Sequence, residues 1–308
     1  MALPADVLAL AARVRNWGRW GADDELGTLN LLTAEVVKAA AAEIQTGRRL
    51  ALGIPMDEHG PQTGAIPGRD NPTHEMVMVD TPLTGDPSSF TTSDDKIAMG
   101  LQAATHWDAL AHVSYDGKLY NGVASSVITD AGASRLGIDK VRTIVGRGVL
   151  LDVAGAQGVD RLEGGYPLTA VDLDEASEFG HVAVRPGDIV LLRTGQMRWF
   201  LEGDRERYGT PAPGPSLQTV EWFHDHDVAA VATDNITFEV YPCEREDALL
   251  PVHLLHLVDM GMTQGQNWNL EELAVDCAGD GRYAMFLDAS PLPVTAAVGS
   301  PVNPVAVK

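Results

Sequence analysis

Two imidazoles and one carboxylate stand within seven residues of this chain, at His106, Asp108 and His112 in the stretch Gln102-Ala-Ala-Thr-His-Trp-Asp-Ala-Leu-Ala-His112. The rest of that stretch is mostly apolar or small. His106 and Asp108 are two apart, so an extended backbone projects both side chains from one face. His112 lies four beyond Asp108 and can return to that face after a turn or bulge. Imidazole with carboxylate is the ligand set of a borderline divalent ion such as zinc or manganese. The same spacing also suits a buried strand with a hydrogen-bonded His-Asp pair, and the local pattern does not choose between them.

A second cluster lies far along the chain. His253 and His256 sit on the segment 249–260, which reads as a helix ended by Gly261. Gln266 closes the short strand 262–266 that follows. His253 alone suits a core or surface histidine as well as a ligand, and spacing does not show whether it meets the first cluster. Between them, the buried strand 228–233 ends at Asp234-Asn235. Mixed sheets present chemistry at such strand ends, so by analogy Asp234 and Glu239 are pocket candidates. The stretch 59–87 is rich in Gly, Pro, Asp and Thr and reads as a long loop, a common seat of function. It holds His59, Arg69, Asn71 and His74, any of which could face a substrate, and His74 is taken as a substrate contact. Trp107, with Trp17 and Trp20, could wall an aromatic pocket or pack in the core.

The elements that must position these groups alternate irregularly. Helices are expected at 4–16, from the Thr33 N-cap to Gly47, at 169–179, from the Ser216 cap to 224, at 249–260 and from Asn269. Strands are expected at 49–56, within 97–113, as a pair over 141–153, and at 189–193, 228–233, 262–266, 283–288 and 292–307. This is an α+β pattern with a mixed, barrel-like sheet and helices outside it. No composition shift marks a boundary, so residues 1–308 read as one domain, with a helical extension over about residues 1–48.

The formal net charge of -21 repels phosphate, which argues against nucleic acid and anionic membranes and leaves a small molecule as the expected partner. No apolar run approaches the roughly 18 residues of a membrane helix. The start of the chain lacks the pattern of a signal peptide. The two cysteines, Cys243 and Cys277, are far apart, which points to a reducing, cytoplasmic setting.

Thr105 to His112 resembles the core of the motif His-x-Gly-Thr-His-x-Asp-x-Pro-x-His, which defines the putative cyclase family, including bacterial kynurenine formamidase and isatin hydrolase. The likeness continues through Trp17-Gly-Arg-Trp-Gly21 with Asp24-Glu-Leu-Gly-Thr-Leu-Asn30, then Asn71-Pro-Thr-His74 and Pro251-Val-His253. Further on, Gly261-Met262, Asn267-Trp-Asn-Leu-Glu-Glu-Leu273 and Gly299-Ser-Pro-Val-Asn-Pro304 resemble the family too. The resemblance implies a swivelling β/β/α core, homodimers or homotetramers, and hydrolysis of amide, lactam or lactone-like bonds with one or two divalent metals.

Carried over by position, His106 and Asp108 match metal ligands and His112 the catalytic histidine. His253 matches a ligand of the second metal in two-metal members, and Gln266 stands where those members have a glutamate. Gln102 replaces the motif's first histidine and becomes a candidate substrate contact, while Ala104 and Leu110 replace its glycine and proline. Losing a histidine and a carboxylate favours one ion, manganese or zinc, as in isatin hydrolase-like members that use a glutamine. The resulting expectation is a hydrolase of a small cyclic amide, lactam, lactone or aryl formamide. His106, Asp108, Gln266 and His253 hold the ion, and His112 moves the proton. Gln102, Trp107, His74, Asp234 and Glu239 contact substrate. A lyase of cyclase or dehydratase type and a non-catalytic binding protein are the alternatives.

Overall fold

The computed structural model describes residues 3–308. Its centre is a nine-stranded mixed sheet, curled into a half-barrel with helices outside. In chain order the strands used below are β1 (Arg49–Ala51), β2 (Thr73–Pro82), β3 (Thr91–Ala98), β4 (His106–Asp108), β5 (Val145–Asp152) and β6 (Ile189–Arg193). They continue as β7 (Ala230–Thr233), β8 (Thr263–Gln266), β9 (Ala284–Asp288), β10 (Gly299–Pro301) and β11 (Val305–Val307). The sheet order is β1-β11-β9-β5-β6-β7-β8-β4-β10. The middle run β5-β6-β7-β8 is parallel and the flanking pairs are antiparallel. Strands β5, β6 and β7 are almost wholly buried, which is why they read as runs of Val, Ile, Leu and Ala without alternation.

The outer helices include α1 (Ala5–Arg13), α2 (Ala34–Ala40), α3 (Ala170–Phe179), α4 (Leu217–Asp225), α5 (Pro251–Leu254) and α6 (Glu271–Asp280). Thr33, Thr169 and Ser216 cap α2, α3 and α4 with their hydroxyls, and Thr169 with Asp172 completes a capping box. One core cluster runs from Val7 to Ala306, so the N-terminal helical portion packs into the common core. No helix among the described residues is long and apolar enough to cross a membrane.

Three expected elements differ. Residues 73–98, expected as part of a loop and its exit, form the ribbon β2–β3. Its side chains are mostly exposed on both strands, so there is no in-out alternation to read. The segment 141–153 holds one long strand, β5, rather than two. The helix expected over 249–260 is α-helical only through Leu254 and widens to a π-turn over Leu255–Met260.

That wide turn is held from outside. Asn16 N–H donates to Asp259 O at 3.0 Å, Asn16 Nδ2 to Met260 O at 3.0 Å, and Trp17 Nε1 to Val258 O at 2.7 Å. The loop behind these residues is fixed by Asp24, which accepts from Leu26 N, Gly27 N, Asn30 Nδ2 and the Tyr120 hydroxyl. Gly27 sits at φ 58°, and a Cβ there would fall on the carbonyl of Gly261. Gly27→Ala is therefore expected to cost about 3 kcal/mol or more. Chemical denaturation checks this; a loss below about 0.5 kcal/mol would mean the close approach is not fixed.

His256 lies inside the π-turn, fully buried, with Phe223 and Phe238 edge-on at 5.5 and 5.4 Å. Neither ring nitrogen has a hydrogen-bond partner, and burial pushes its pKa down to about 3. In the unfolded chain a histidine titrates near 6.5. Below that pH the unfolded state takes up a proton that the folded state refuses. The contribution is thus intact above about 6.5 and drains as pH falls towards 3. His256→Phe should flatten the acid slope of stability by up to about 1.4 kcal/mol per pH unit between about pH 6 and 4. Urea unfolding at several pH values reads this directly, and an unchanged slope would show that the ring protonates in place.

Candidate metal-binding active site

Strand β4 is three residues long and buried throughout. It runs antiparallel to β8 on one side and β10 on the other, with His106 opposite Gln266 and Asp108 opposite Gln264. Alternation then puts His106, Asp108, Gln264 and Gln266 on one face of the sheet. Gln266 Nε2 donates to Asp108 Oδ2 at 2.8 Å. His106 Nδ1–H donates to the carbonyl of Ala104 at 2.7 Å, which leaves Nε2 bare and facing Asp108 Oδ1 at 3.6 Å. His112 follows a turn closed by its own N–H on Ala109 O. Its Nε2 stands 3.7 Å from the same Asp108 oxygen.

His253 arrives from α5. Glu239 accepts from the backbone N–H groups of Val252 and His253 and from His253 Nδ1 at 2.6 Å. A carboxylate behind one ring nitrogen fixes the tautomer and aims the other into the site. Here Nε2 comes within 3.4 Å of Gln266 Nε2. The structure thus brings His106, Asp108, His112, His253 and Gln266 to the wall of one cavity of about 860 Å³. A neighbouring hollow of about 1030 Å³ shares Val113, Leu249, Leu250 and His253 with it, but none of the other four.

Burial by itself would raise the pKa of Asp108, but His112, His106 and His253 outweigh it and hold the carboxyl well below the usual range. It stays an anion. Burial pushes the His112 imidazole below its ordinary value, against the pull of Asp108, so the ring is a free base at neutral pH.

The residues fit one divalent ion. Asp108 Oδ1 and Gln266 Oε1 are buried without hydrogen-bond partners. Two donors on one ion at roughly 2.1 Å lie about 3.0–3.5 Å apart. The 3.6 Å between His106 Nε2 and Asp108 Oδ1 is close to that span and too long for a hydrogen bond. No three His, Cys, Asp or Glu side chains among the described residues gather into a metal-binding group, and the further side chain beside His106 and Asp108 is the Gln266 amide. With Glu239 committed to His253, Asp108 is the one carboxylate facing the others, which suits a single ion.

The side chains expected to touch substrate stand elsewhere. Trp107 points to the opposite face, donates to Ala289 O at 2.7 Å and packs edge-on to Trp268. The alternation that aims its neighbours into the cavity turns it into the core. His74 is exposed on the ribbon, 2.9 Å from Asp95. Asp234 is fully buried and accepts from Thr194 N, Thr194 Oγ1 and Gly195 N, so it ties the end of β6 to that of β7. Gln102 packs against Gly299 beside β10. Glu239 acts behind His253 rather than on the cavity. Arg69, one of the loop residues that the sequence offers to a substrate, and Gln62, which it does not, both line the cavity. Their signal was faint, since both lie in the Gly- and Pro-rich stretch read as loop.

With this geometry in place, comparison with known proteins is informative. The family model of the putative cyclases matches residues 32–240. A crystal structure of a novel cyclase is 43% identical, with a TM-score of 0.87, over 96% of this chain and 99% of that one. An isatin hydrolase bound to the product analogue thioisatinate matches at 16% identity and a TM-score of 0.63, over 89% and 98%. Isatin hydrolase A from Ralstonia solanacearum matches at 21% and 0.61, over 89% and 97%. At these identities the two isatin hydrolases share the fold. No curated protein matches the chain. The family match spans more than half of the sequence and includes the β4 ligand strand, and on that ground the chain belongs to the putative cyclase family.

Proposed function

We propose that this protein is a metal-dependent hydrolase of a small cyclic amide, lactam, lactone or aryl formamide. One observation carries the reading. An ionised carboxylate and the Nε2 atoms of His106 and His112 converge at one cavity, where an oxygen of Asp108 and the amide oxygen of Gln266 are buried without hydrogen-bond partners. His106, Asp108 and Gln266 would hold one manganese or zinc ion, with His253 completing the set. Bound there, the ion would acidify a water and polarise the substrate carbonyl.

The chain's own residues do the rest. His112, unprotonated at neutral pH, takes the proton of the attacking water on Nε2 and returns it to the leaving nitrogen or oxygen. Asp108 stabilises the imidazolium that forms in between. Glu239 keeps His253 in the tautomer with a free Nε2. The half-buried side chains of Ile236 and Leu250 supply apolar wall to the cavity. Both cysteines are free, which suits a reducing cytoplasm.

His106→Ala should lose the ion, read by elemental analysis of the purified protein. His112→Ala should keep it and lose turnover by about 10²–10⁴-fold on a lactone and lactam panel. Parent-like hydrolysis by His112→Ala would remove the proton role, and turnover that survives complete chelation would remove the metal.

The proposal extends to a homodimer or homotetramer. Among the described residues the β2–β3 ribbon pairs only with itself, and it exposes Met76, Val77, Val79, Leu83, Phe90 and Ile97. A lone two-stranded ribbon is marginal in water, and a second copy would cover it. Light scattering should show an oligomer that Val79→Glu with Ile97→Lys breaks. A parent protein that runs as a monomer at micromolar concentration would sink this part.

A further inference from the structure

Arg69 lines the same cavity as His106, Asp108 and His112. It is half-buried, and burial pulls its pKa down, opposed only by the distant charge of Asp108. Among the described residues its guanidinium meets no acid within salt-bridge distance and donates no hydrogen bond. This is unusual in a chain with 43 acidic and 22 basic residues. Other buried or half-buried arginines have partners: Arg147 pairs with Glu43 and Asp188, Arg193 with Asp152 and Glu271, and Arg135 with Glu25, while Arg205 and Arg282 donate to the carbonyls of Gly60 and Glu43. Asp70, next in sequence, is not used.

The segment that carries Arg69 is fixed. Gln62 N–H donates to Asn71 Oδ1 at 2.9 Å, and Asn71 Nδ2 donates back to Gln62 O at 2.9 Å. Gln62 Nε2 donates to Ala103 O at 3.0 Å, three residues before β4. Gly100 N–H donates to Asp70 O at 3.1 Å. A Cβ at position 100 would come within 3.2 Å of the Arg69 Cα, so the glycine lets the two backbones lie together. Burying a cation without a counter-charge is costly. Here the fold holds one in place on the same cavity wall as the ligand cluster. Glu206, the other acid on the cavity wall, is exposed.

We infer that Arg69 is the docking point for a carboxylate carried by the ligand, which narrows the substrate class to small molecules bearing a carboxylate near the bond that is cut. The planar fork of a guanidinium matches a carboxylate through two parallel hydrogen bonds. Arg207 also lines the cavity, but it is turned to Asp204 at 3.5 Å and lies over the Trp199 ring, which leaves Arg69 as the unmatched guanidinium there. In a protein of net charge -21 a monoanion is the fitting guest of one such cation and a phosphate dianion is not. The word substrate rests on the hydrolase reading; anion binding does not.

The test is calorimetric titration of benzoate, benzamide and phenyl phosphate into the full-length protein. It is run as purified and again after chelation, so that an anion held by an ion at His106 is told from one held by Arg69. Arg69→Gln should weaken benzoate at least about ten-fold with or without chelation, and Arg69→Lys should recover part of that. Added salt should weaken benzoate binding to the parent, and benzamide should bind all three proteins within about two-fold. Equal benzoate affinity in parent and Arg69→Gln, a parallel loss for benzamide, or tighter binding of phenyl phosphate than benzoate overturns the inference. Thermal unfolding runs alongside. A half-buried unpaired charge predicts that Arg69→Gln melts at or above the parent, and a melt well below it would make the guanidinium a structural tie instead. Since turnover is not read, a negative result leaves the hydrolase reading to the His106 and His112 variants.

Discussion

The parity of one short strand decides where the chemistry lies. In β4 the middle residue, Trp107, must face away from its two neighbours. Its ring is fully buried, its Nε1 donates to Ala289 O at 2.7 Å, and Trp268 packs edge-on at 4.9 Å. Position 265, opposite on β8, is a glycine; a Cβ there would meet Trp268 Nε1 at 2.7 Å and the Trp107 ring at 2.9 Å. A slip of one residue would push the indole into the cavity and bury His106 and Asp108 in hydrocarbon. The indole that sequence reasoning assigned to substrate is therefore the anchor that keeps its neighbours on the working face.

The imidazoles are aimed by what lies behind them. His106 leans on a backbone carbonyl and His253 on a carboxylate that also receives two N–H groups from the start of α5. Each partner occupies Nδ1 and leaves Nε2 towards the cavity. The helix carrying His253 is itself secured one turn later, where Asn16 and Trp17 bond the carbonyls of the π-turn. This gives the N-terminal segment a role beyond packing, since it braces the element that delivers one of the site's rings.

Much of this was legible in the sequence, and the limits are physical. The ligand strand could be read because a two-residue spacing has one meaning in an extended chain. The buried strands β5 to β7 could be read because their apolar runs have few other uses. The meeting of His253 and Gln266 with β4 was not in the spacing; it follows from the neighbour order β7-β8-β4, a long-range fact reached only through resemblance. Glu239 was picked for the wrong surface, because a strand-end rule does not tell a residue facing a cavity from one standing behind a ligand. The ribbon was missed because both its faces meet solvent, which erases the alternation that marks a strand. Arg69 could be named only as one of four loop residues able to face a substrate, because an unpaired charge is visible only once every possible partner has been placed.

Gln266 bears on how the centre can exist before any ion arrives. A carboxylate in its place would lie opposite His106 and within hydrogen-bonding distance of Asp108, and two carboxylates so close do not both ionise without cations between them. The amide removes that conflict. Its Nε2 donates to Asp108 Oδ2, which requires its oxygen to face elsewhere, and that oxygen is left buried and unpartnered. One group thus steadies the anion of the site and keeps a neutral donor in reserve. The centre carries a single negative charge among three rings. This shortage of anions is why an arginine can stand unpaired at the cavity wall: Asp108 is already turned towards the rings and the amide, and Glu206, the other acid there, is exposed.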